Sequence, residues 1–534
     1  MFSFLGFLWF FRTAKSILFW LYLWQLKEYH TGRFFDHFNT EKGRKLLTNP
    51  LNVFKVILII LFFAVPVLSL FLLVLVYLIE FFKTAVDFST KKIKRPVFTK
   101  KSLFLIFLAI SLEIVFLIGF CQIKESIIIF AFSLLIFDVL TPIIVSILVL
   151  LTQPLAVLGR NRIIRKAKKK REEFKDLLVI GITGSYGKTS TKEFLYAILS
   201  QKFGENKVLR TKIHQNSEIG ISQCILKDLK PEHKIFICEM GAYNREGIKL
   251  LCDITKPKIG ILTGINEQHM ATFGSQDNII KTKFELIESL PENGIAIFNS
   301  DSAFIRFKVR NSKFKVLNQK FYSIKERADI WAENIKVERD SVAFRIFTKD
   351  NDSVDVKINV LGRQTILNFL GAALAIKELG ITLSEIAKAS EEINSKYGGM
   401  QLKAGKRGLN IIDSTYSANP DGVISALEYL KIWPPKRIIV MPCLIELGMA
   451  SKEVHWKIGK KIGEVCDLAI ITTKERFKEI KEGAVGRGMK PENILFIENP
   501  QKIFEKIKSF CEPGDVVLLE SRVPPKLIEL LLNV

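Results

Sequence analysis

Residues 177–192 read LLVIGITGSYGKTSTK, and this stretch decides the fold. An apolar, β-branched run from Leu177 to Ile182 carries Gly181 and leads to Gly184 and Gly187. Lys188, Thr189 and Ser190 follow, and then a helix-like segment from Thr191. Strand, glycine turn, Lys-Thr and helix form a cradle for a nucleoside triphosphate. Glycines let backbone N–H groups turn inward on phosphates. Lys188 is placed to neutralise the β/γ-phosphates, and the Thr189 hydroxyl to ligate Mg²⁺. The helix N-terminus adds a partial positive charge. The cradle spans Gly184, Ser185, Tyr186, Gly187, Lys188, Thr189 and Ser190. Its spacing is G-x-x-G-K-T, shorter than the general G-x-x-x-x-G-K-[ST].

Working outward, the 534 residues divide by composition. Mean hydropathy is +0.22, and the apolarity sits in the first ~155 residues, as length and composition priors would place a membrane part. Four apolar blocks precede the glycine turn: 1–26, 53–82, 102–123 and 126–151. A span needs about 20 apolar residues, and the last three qualify. The first is too long and too broken for a cleaved signal peptide. Lys124 and Glu125 form a short polar link between the last two blocks.

The net charge is +24, and much of the excess flanks these blocks. That is the positive-inside pattern of a membrane protein, and it argues against nucleic acid as the partner. Residues 160–171 carry eight basic residues and 83–101 carry seven, so both belong on the cytoplasmic side. The 102–151 pair then leaves and returns as a hairpin. The segment before residue 53 is basic too, which leaves two readings of 53–82: a re-entrant hairpin bent at Pro66, or a failure of the charge rule. Glu113 and Asp138 are costly in hydrocarbon and are expected to be paired structurally. Seven cysteines show no C-x-x-C pair, which excludes a disulfide framework or zinc motif and fits a reducing cytosol.

Beyond residue 173, β-rich runs alternate with helical patterns, the signature of parallel α/β sheets. Strands are expected at 177–182, 234–239, 258–263, 294–298, 409–413, 436–441, 467–472 and 515–519. The run 311–360 reads as short inserted strands, and the Gly/Lys-rich 395–408 as a domain boundary. The expected organisation is an all-α transmembrane region with a basic connector (1–172), a P-loop central parallel-sheet ATPase domain (173–397), and a smaller doubly wound C-terminal domain (398–534). Glu239 and His269 each lie just past a strand, where α/β active sites collect, and Lys283 lies on a helix. Thr189, Glu239 and His269 are donors suited to Mg²⁺ among phosphates.

Eight segments carry a resemblance in order: GITGSYGKTSTK, RTKIHQNSEIG, CEMGAYNREG, LTGINEQHMATFGS, KTKFELIESLPENGIAIFNSD, LGRQTILNFLGAALAIKELG, IIDSTYSANPDGVISAL and CLIELG. Over about 177–534 the chain resembles the Mur ligases, the ATP-dependent amide-bond ligases of peptidoglycan synthesis, and within them the branch that adds D-Ala-D-Ala to UDP-MurNAc-tripeptide. The resemblance implies ATP and Mg²⁺, an acyl phosphate, and attack by an amine. It implies catalytic roles for Lys188, Lys283 and His269. It also implies metal ligation by Thr189, Glu239, His269 and a carbamylated Lys283, a substrate contact at Asn216, and nucleotide contacts at Asn368 and Asp413.

Four departures fall at the nucleoside end and in the C-terminal domain. Gln364 and Thr365 stand for His-Asn, Gly399 for an arginine, Ser414 for an acid, and Pro442-Cys443-Leu444 for Gly-Asp-Met. Lys403, Lys406 and Arg407 are candidates for the missing positive charge. The family's N-terminal UDP-holding domain is replaced by membrane segments. The expected protein is a multi-pass inner-membrane ligase with cytoplasmic catalytic domains. Its partners are membrane lipid, a muramoyl-peptide or lipid-linked precursor, and an amino acid or dipeptide. The rivals are a relative with another acceptor and a non-catalytic nucleotide-binding scaffold.

Overall fold

The computed structural model describes every residue except 39–40, 123–125, 214, 395–396, 398, 417, 435 and 533–534. The Lys124–Glu125 link, Ser417 and part of the 395–408 boundary therefore lie outside the described residues. The chain forms two compact units, Met1–Asn161 and Arg162–Val534.

The first unit is helical. Among the described residues five stretches are long and apolar enough to cross a membrane: Phe2–Leu26, Gly43–Ala64, Pro66–Ser89, Lys100–Phe120 and Ile127–Glu172. The block read as 53–82 is two helices, Pro50–Ala64 and Pro66–Ser89, broken at Val65. Pro66 cannot continue a helix it would enter from within, so it starts the second one. Lys55 and Glu80 lie at similar distances on either side of this break, and they pair at 2.6 Å. The two helices therefore fold back on each other, as the hairpin reading expected.

Several buried charged groups in this unit are paired. Lys55, 1% exposed, also binds Asp138 at 2.6 Å, and Arg12 reaches Glu80 at 2.7 Å. Two cations cancel two carboxylates contributed by the other helices. Glu113 accepts a hydrogen bond from the Thr13 hydroxyl. Removing one member leaves an uncompensated buried charge, at a cost of ~3–5 kcal/mol. Lys55→Met is accordingly expected to lower the fraction of detergent-solubilised protein that survives heating. Lys55→Met paired with Glu80→Gln should recover most of it.

The last helix does not end with its apolar part. Ile127–Glu172 is one helix of 46 residues, so the basic run read as a connector is helical to Glu172. Its end is anchored within the second unit. Arg171 is buried and donates to the carbonyls of Thr255 (2.9 Å), Phe174 (2.7 Å) and Leu177 (3.1 Å). Lys170 donates to the Leu226 and Leu229 carbonyls at the end of helix Glu218–Asp228, where a cation suits the helix dipole.

The second unit contains two sheets. The first has nine strands: β1 Leu178–Thr183, β2 Val208–Arg210, β3 Ile235–Glu239, β4 Ile259–Leu262, β5 Ile295–Asn299, β6 Asn318–Ser323, β7 Ile330–Val337, β8 Val342–Thr348 and β9 Ser353–Ile358. Their order is β2-β3-β1-β4-β5-β6-β7-β8-β9. Pairing is parallel up to β7 and antiparallel beyond it. The central strands are buried on both faces, which is why they read as continuous apolar runs rather than alternating ones. Strand β1 lies between β3 and β4, so the crossovers part on either side of it. That opens a crevice at the carboxyl ends of these three strands. The helix Gln364–Lys377 is buried from Thr365 to Ile376 and packs with helix Lys188–Phe203 through Phe369 and Phe194.

The second sheet holds β10 Gln401–Ala404, β11 Asn410–Ser414, β12 Arg437–Met441, β13 Leu468–Ile471, β14 Ile494–Phe496 and β15 Val516–Glu520. Their order is β10-β11-β15-β12-β13-β14, parallel except for β10.

Candidate functional site

The site begins where β1 ends. Gly184 has φ 152 and Gly187 has φ 81, conformations that L side chains rarely adopt. A Cβ on Gly184 would stand 2.2 Å from Thr263 Oγ1, and one on Gly187 would stand 2.3 Å from Asn368 Oδ1. Thr263, just past β4, donates to the Tyr186 carbonyl at 2.5 Å. Ser185 N–H donates to the Gly264 carbonyl at 2.7 Å. The turn is thus held from β4 and from the helix that carries Asn368. Ser190 lies in the first turn of helix Lys188–Phe203. Gly187→Ala is expected to displace Asn368 and to cost ~1–3 kcal/mol from the backbone conformation alone, measurable as a fall in Tm together with weakened nucleotide binding.

Lys188 curls over the turn, donating to the Gly184 carbonyl at 2.7 Å. Burial lowers its pKa, and the nearby Glu239 opposes that shift. Glu239 ends β3 and gathers three side chains. The Thr189 hydroxyl donates to Oε2 at 3.1 Å, the Asn216 amide to Oε1 at 3.2 Å, and Lys192 Nζ lies 3.2 Å from Oε2. Burial works to raise Glu239, but Lys192, Lys188 and the Asn216 bond outweigh it and hold the carboxylate below its ordinary range. Sequence reading missed Lys192. A lysine on a helix normally reads as exposed, yet this one is fully buried, one helical turn after Lys188 and on the same face.

Lys283 projects from helix Gln276–Glu288 and is 4% exposed. Among the described residues its amine has no hydrogen-bond or ion-pair partner. Burial, with Lys188 adding to it, pushes its pKa down to about 7. His269 has φ 65 and places Nδ1 2.6 Å from Glu446 Oε2, with the Tyr243 ring edge-on at 5.0 Å. Burial lowers its pKa, against the Glu446 contact. Glu446 is a second residue that sequence reading did not single out, although its motif was quoted. It also has a left-handed backbone, with φ 64.

These residues join the two sheet domains. Asn266 donates to Asp421 at 2.7 Å and to Asn419 at 3.4 Å. Gln268 donates to the Ala418 carbonyl at 3.2 Å, and Ala271 N–H to the Glu446 carbonyl at 3.1 Å. Strained backbone at a domain junction is where ligand-responsive segments concentrate.

At the end of β11, Asp413 binds Lys403 at 2.5 Å and accepts from the Thr415 N–H and hydroxyl at 3.1 and 2.6 Å. Burial would raise Asp413, but these bonds hold it below its ordinary value. Of the three candidate cations only Lys403 sits here. Lys406 reaches the Glu529 carbonyl and Arg407 the Lys508 carbonyl. Thr365 spends its hydroxyl on the Leu361 carbonyl one turn back.

The oxygen donors Thr189 and Glu239 suit a hard cation. Among the described residues no group of three or more His, Cys, Asp or Glu could hold a metal ion. A site with one carboxylate and one hydroxyl therefore suits Mg²⁺, which is usually bound through one or two carboxylates, waters and substrate phosphates. Lys283 as an ammonium does not fit as a ligand. As a carbamate it would present oxygens and cancel the charge of Lys188.

The family comparisons agree with this geometry. Residues 182–376 match the Mur ligase middle domain, and 398–522 match the Mur ligase glutamate ligase domain. The UDP-N-acetylmuramoyl-tripeptide–D-alanyl-D-alanine ligase of Escherichia coli is 31% identical over 284 residues, 53% of this chain and 61% of that protein. The ligase of the same name from Bacillus subtilis is 26% identical over 357 residues, 66% of this chain and 74% of its own. The chain thus spans less than two thirds of the length of the Escherichia coli protein. Among solved structures, MurF from Acinetobacter baumannii superposes with TM-score 0.61 at 25% identity, over 69% of this chain and 80% of that one. MurF from Thermotoga maritima in complex with ADP superposes with TM-score 0.59 at 27% identity, over 70% and 83%. The two matching domain models, over 182–376 and 398–522, and the superposition on the MurF structures lead to one assignment: the chain belongs to the Mur ligase family.

Proposed function

We propose that this protein is a membrane-anchored, ATP-dependent amide-bond ligase of peptidoglycan precursor synthesis. Residues 1–172 anchor it, 173–397 bind ATP, and 398–534 close over the site. The anchor places it in the cytoplasmic membrane, multi-pass, with both catalytic domains cytoplasmic. The acceptor is a muramoyl peptide, presented on UDP or on a lipid carrier, and the amine is an amino acid or D-Ala-D-Ala. The observation that carries this reading is the convergence of Thr189, Asn216 and Lys192 on Glu239 beside Lys188.

The γ-phosphoryl group of ATP passes to an acceptor carboxylate, and the amine then displaces phosphate to leave the amide. Such a transfer needs chiefly positioning and positive charge around the phosphates. Lys188 would leave the Gly184 carbonyl for the phosphates, and the turn at Gly184–Gly187 would donate its N–H groups. Thr189 and Glu239 would hold Mg²⁺, which screens charge on the phosphates. Lys192 fixes Glu239 in its ionised form, and Asn216 fixes its orientation and borders the acceptor. Asn368, packed on Gly187, and Asp413, held by Lys403, would flank the nucleoside.

The test is ADP release by the full chain in nanodiscs, with UDP-MurNAc-tripeptide or its lipid-linked counterpart and D-Ala-D-Ala. Release that requires both acceptor and amine supports the ligase. Nucleotide binding with no turnover on either acceptor favours the scaffold, a rival motivated by Thr365 turning its hydroxyl away.

A further inference from the structure

From Ser302 to Lys325 the chain has seven basic residues and no acidic one. Helix Ala303–Arg310 buries Ile305 at 1% exposure, and the following loop buries Val316 at 0%. These anchors fix what faces outward. Phe307 is 68% exposed and Leu317 75%, and along the chain they are interleaved with Arg306, Arg310, Lys313 and Lys315, all exposed. Arg306 lies 3.7 Å from Glu326. Arg310, Lys313 and Lys315 have no ion-pair partner among the described residues. On the helix, Arg306, Phe307 and Arg310 share one face.

A single exposed apolar side chain means little. A large aromatic and a leucine exposed on a segment that also carries Arg310, Lys313 and Lys315 are different, because this is the chemistry that inserts at an anionic bilayer surface. A nucleic acid would match the charge but would gain little from a leucine. The same polypeptide also carries five helices apolar enough to cross a membrane, so a bilayer surface is present at high effective concentration.

We infer that the Phe307–Leu317 face of the ATP-binding domain docks on anionic phospholipid headgroups, with Phe307 and Leu317 entering the interface. This rests on the membrane anchoring proposed above and not on the ligase activity.

The test is hydrogen exchange of the full chain in nanodiscs of phosphatidylcholine alone, or with about 30% phosphatidylglycerol, at salt near 0.15 M and near 1 M. Amides in 303–317 should be protected only with the anionic lipid, and protection should fall at high salt. Arg310→Gln/Lys313→Gln/Lys315→Gln should weaken it by on the order of a hundredfold, at roughly fivefold per charge near the surface. Phe307→Ser, which keeps every charge, should weaken it less but measurably. A Tm within a few degrees of the parent in both variants shows that they are folded. Equal exchange in the two lipids would overturn the inference. Protection that appears only on adding duplex RNA to the neutral discs would overturn it as well and assign the face to nucleic acid.

Discussion

Lys188→Ala is expected to abolish amine-dependent ADP release by the full chain, lowering kcat on the order of 10³-fold. That is the scale of losing one preorganised charge from a phosphoryl-transfer site. The protein should stay folded, because among the described residues the Lys188 ammonium hydrogen-bonds just the Gly184 and Ser185 carbonyls of its own turn. A Tm within a few degrees of the parent, together with lost turnover, separates a catalytic from a structural role. Retained turnover would show that the lysine does not face the phosphates.

The second large effect is at Lys283. An amine with its pKa at about 7 is increasingly neutral above pH 7, and only a neutral amine adds CO₂. Activity of enzyme stripped of CO₂ should therefore recover with bicarbonate faster at pH 8 than at pH 6. Lys283→Ala should lose ~10²–10³-fold in kcat, and added formate should restore part of it by supplying oxygens where the carbamate would stand.

Stability should rise with pH as well. The folded pKa is depressed and the unfolded amine keeps its proton up to about 10.5. Between about pH 7 and 10.5 the unfolded state therefore binds more protons, so stability rises with pH across that window. The cost of the buried ammonium is present in full below pH 7. Lys283→Met removes it and is expected to raise stability there by ~1–4 kcal/mol while turnover falls. Unchanged activity in Lys283→Ala would reject the carbamate.

Local features of this site were legible in the sequence. Strand β1, the glycine turn and its helix lie within one continuous segment, and a strand followed by Gly184 and Gly187 admits few conformations. Each expected strand of the second unit overlaps an observed one, because doubly buried strands are apolar runs with sharp ends. β2 and β14 escaped notice because three residues show no period. β10 escaped because it is a short, half-buried antiparallel edge.

What stayed hidden was tertiary. His269 and Glu446 are 177 residues apart, and no local pattern pairs them. Lys192 looked like an exposed helix lysine until β3 brought Glu239 to it. In the first unit, Pro66 announced the break, but only the folded hairpin shows Lys55 answering both Glu80 and Asp138.

The most direct measurement follows oxygen. An acceptor peptide labelled with ¹⁸O in its reacting carboxylate is incubated with the full chain, ATP, Mg²⁺ and D-Ala-D-Ala, and the released phosphate is weighed. Attack of that carboxylate on the γ-phosphorus predicts one ¹⁸O in each phosphate, matched by one new amide. Phosphate released without label would contradict the account, since ATP would then have been split by water rather than by the acceptor.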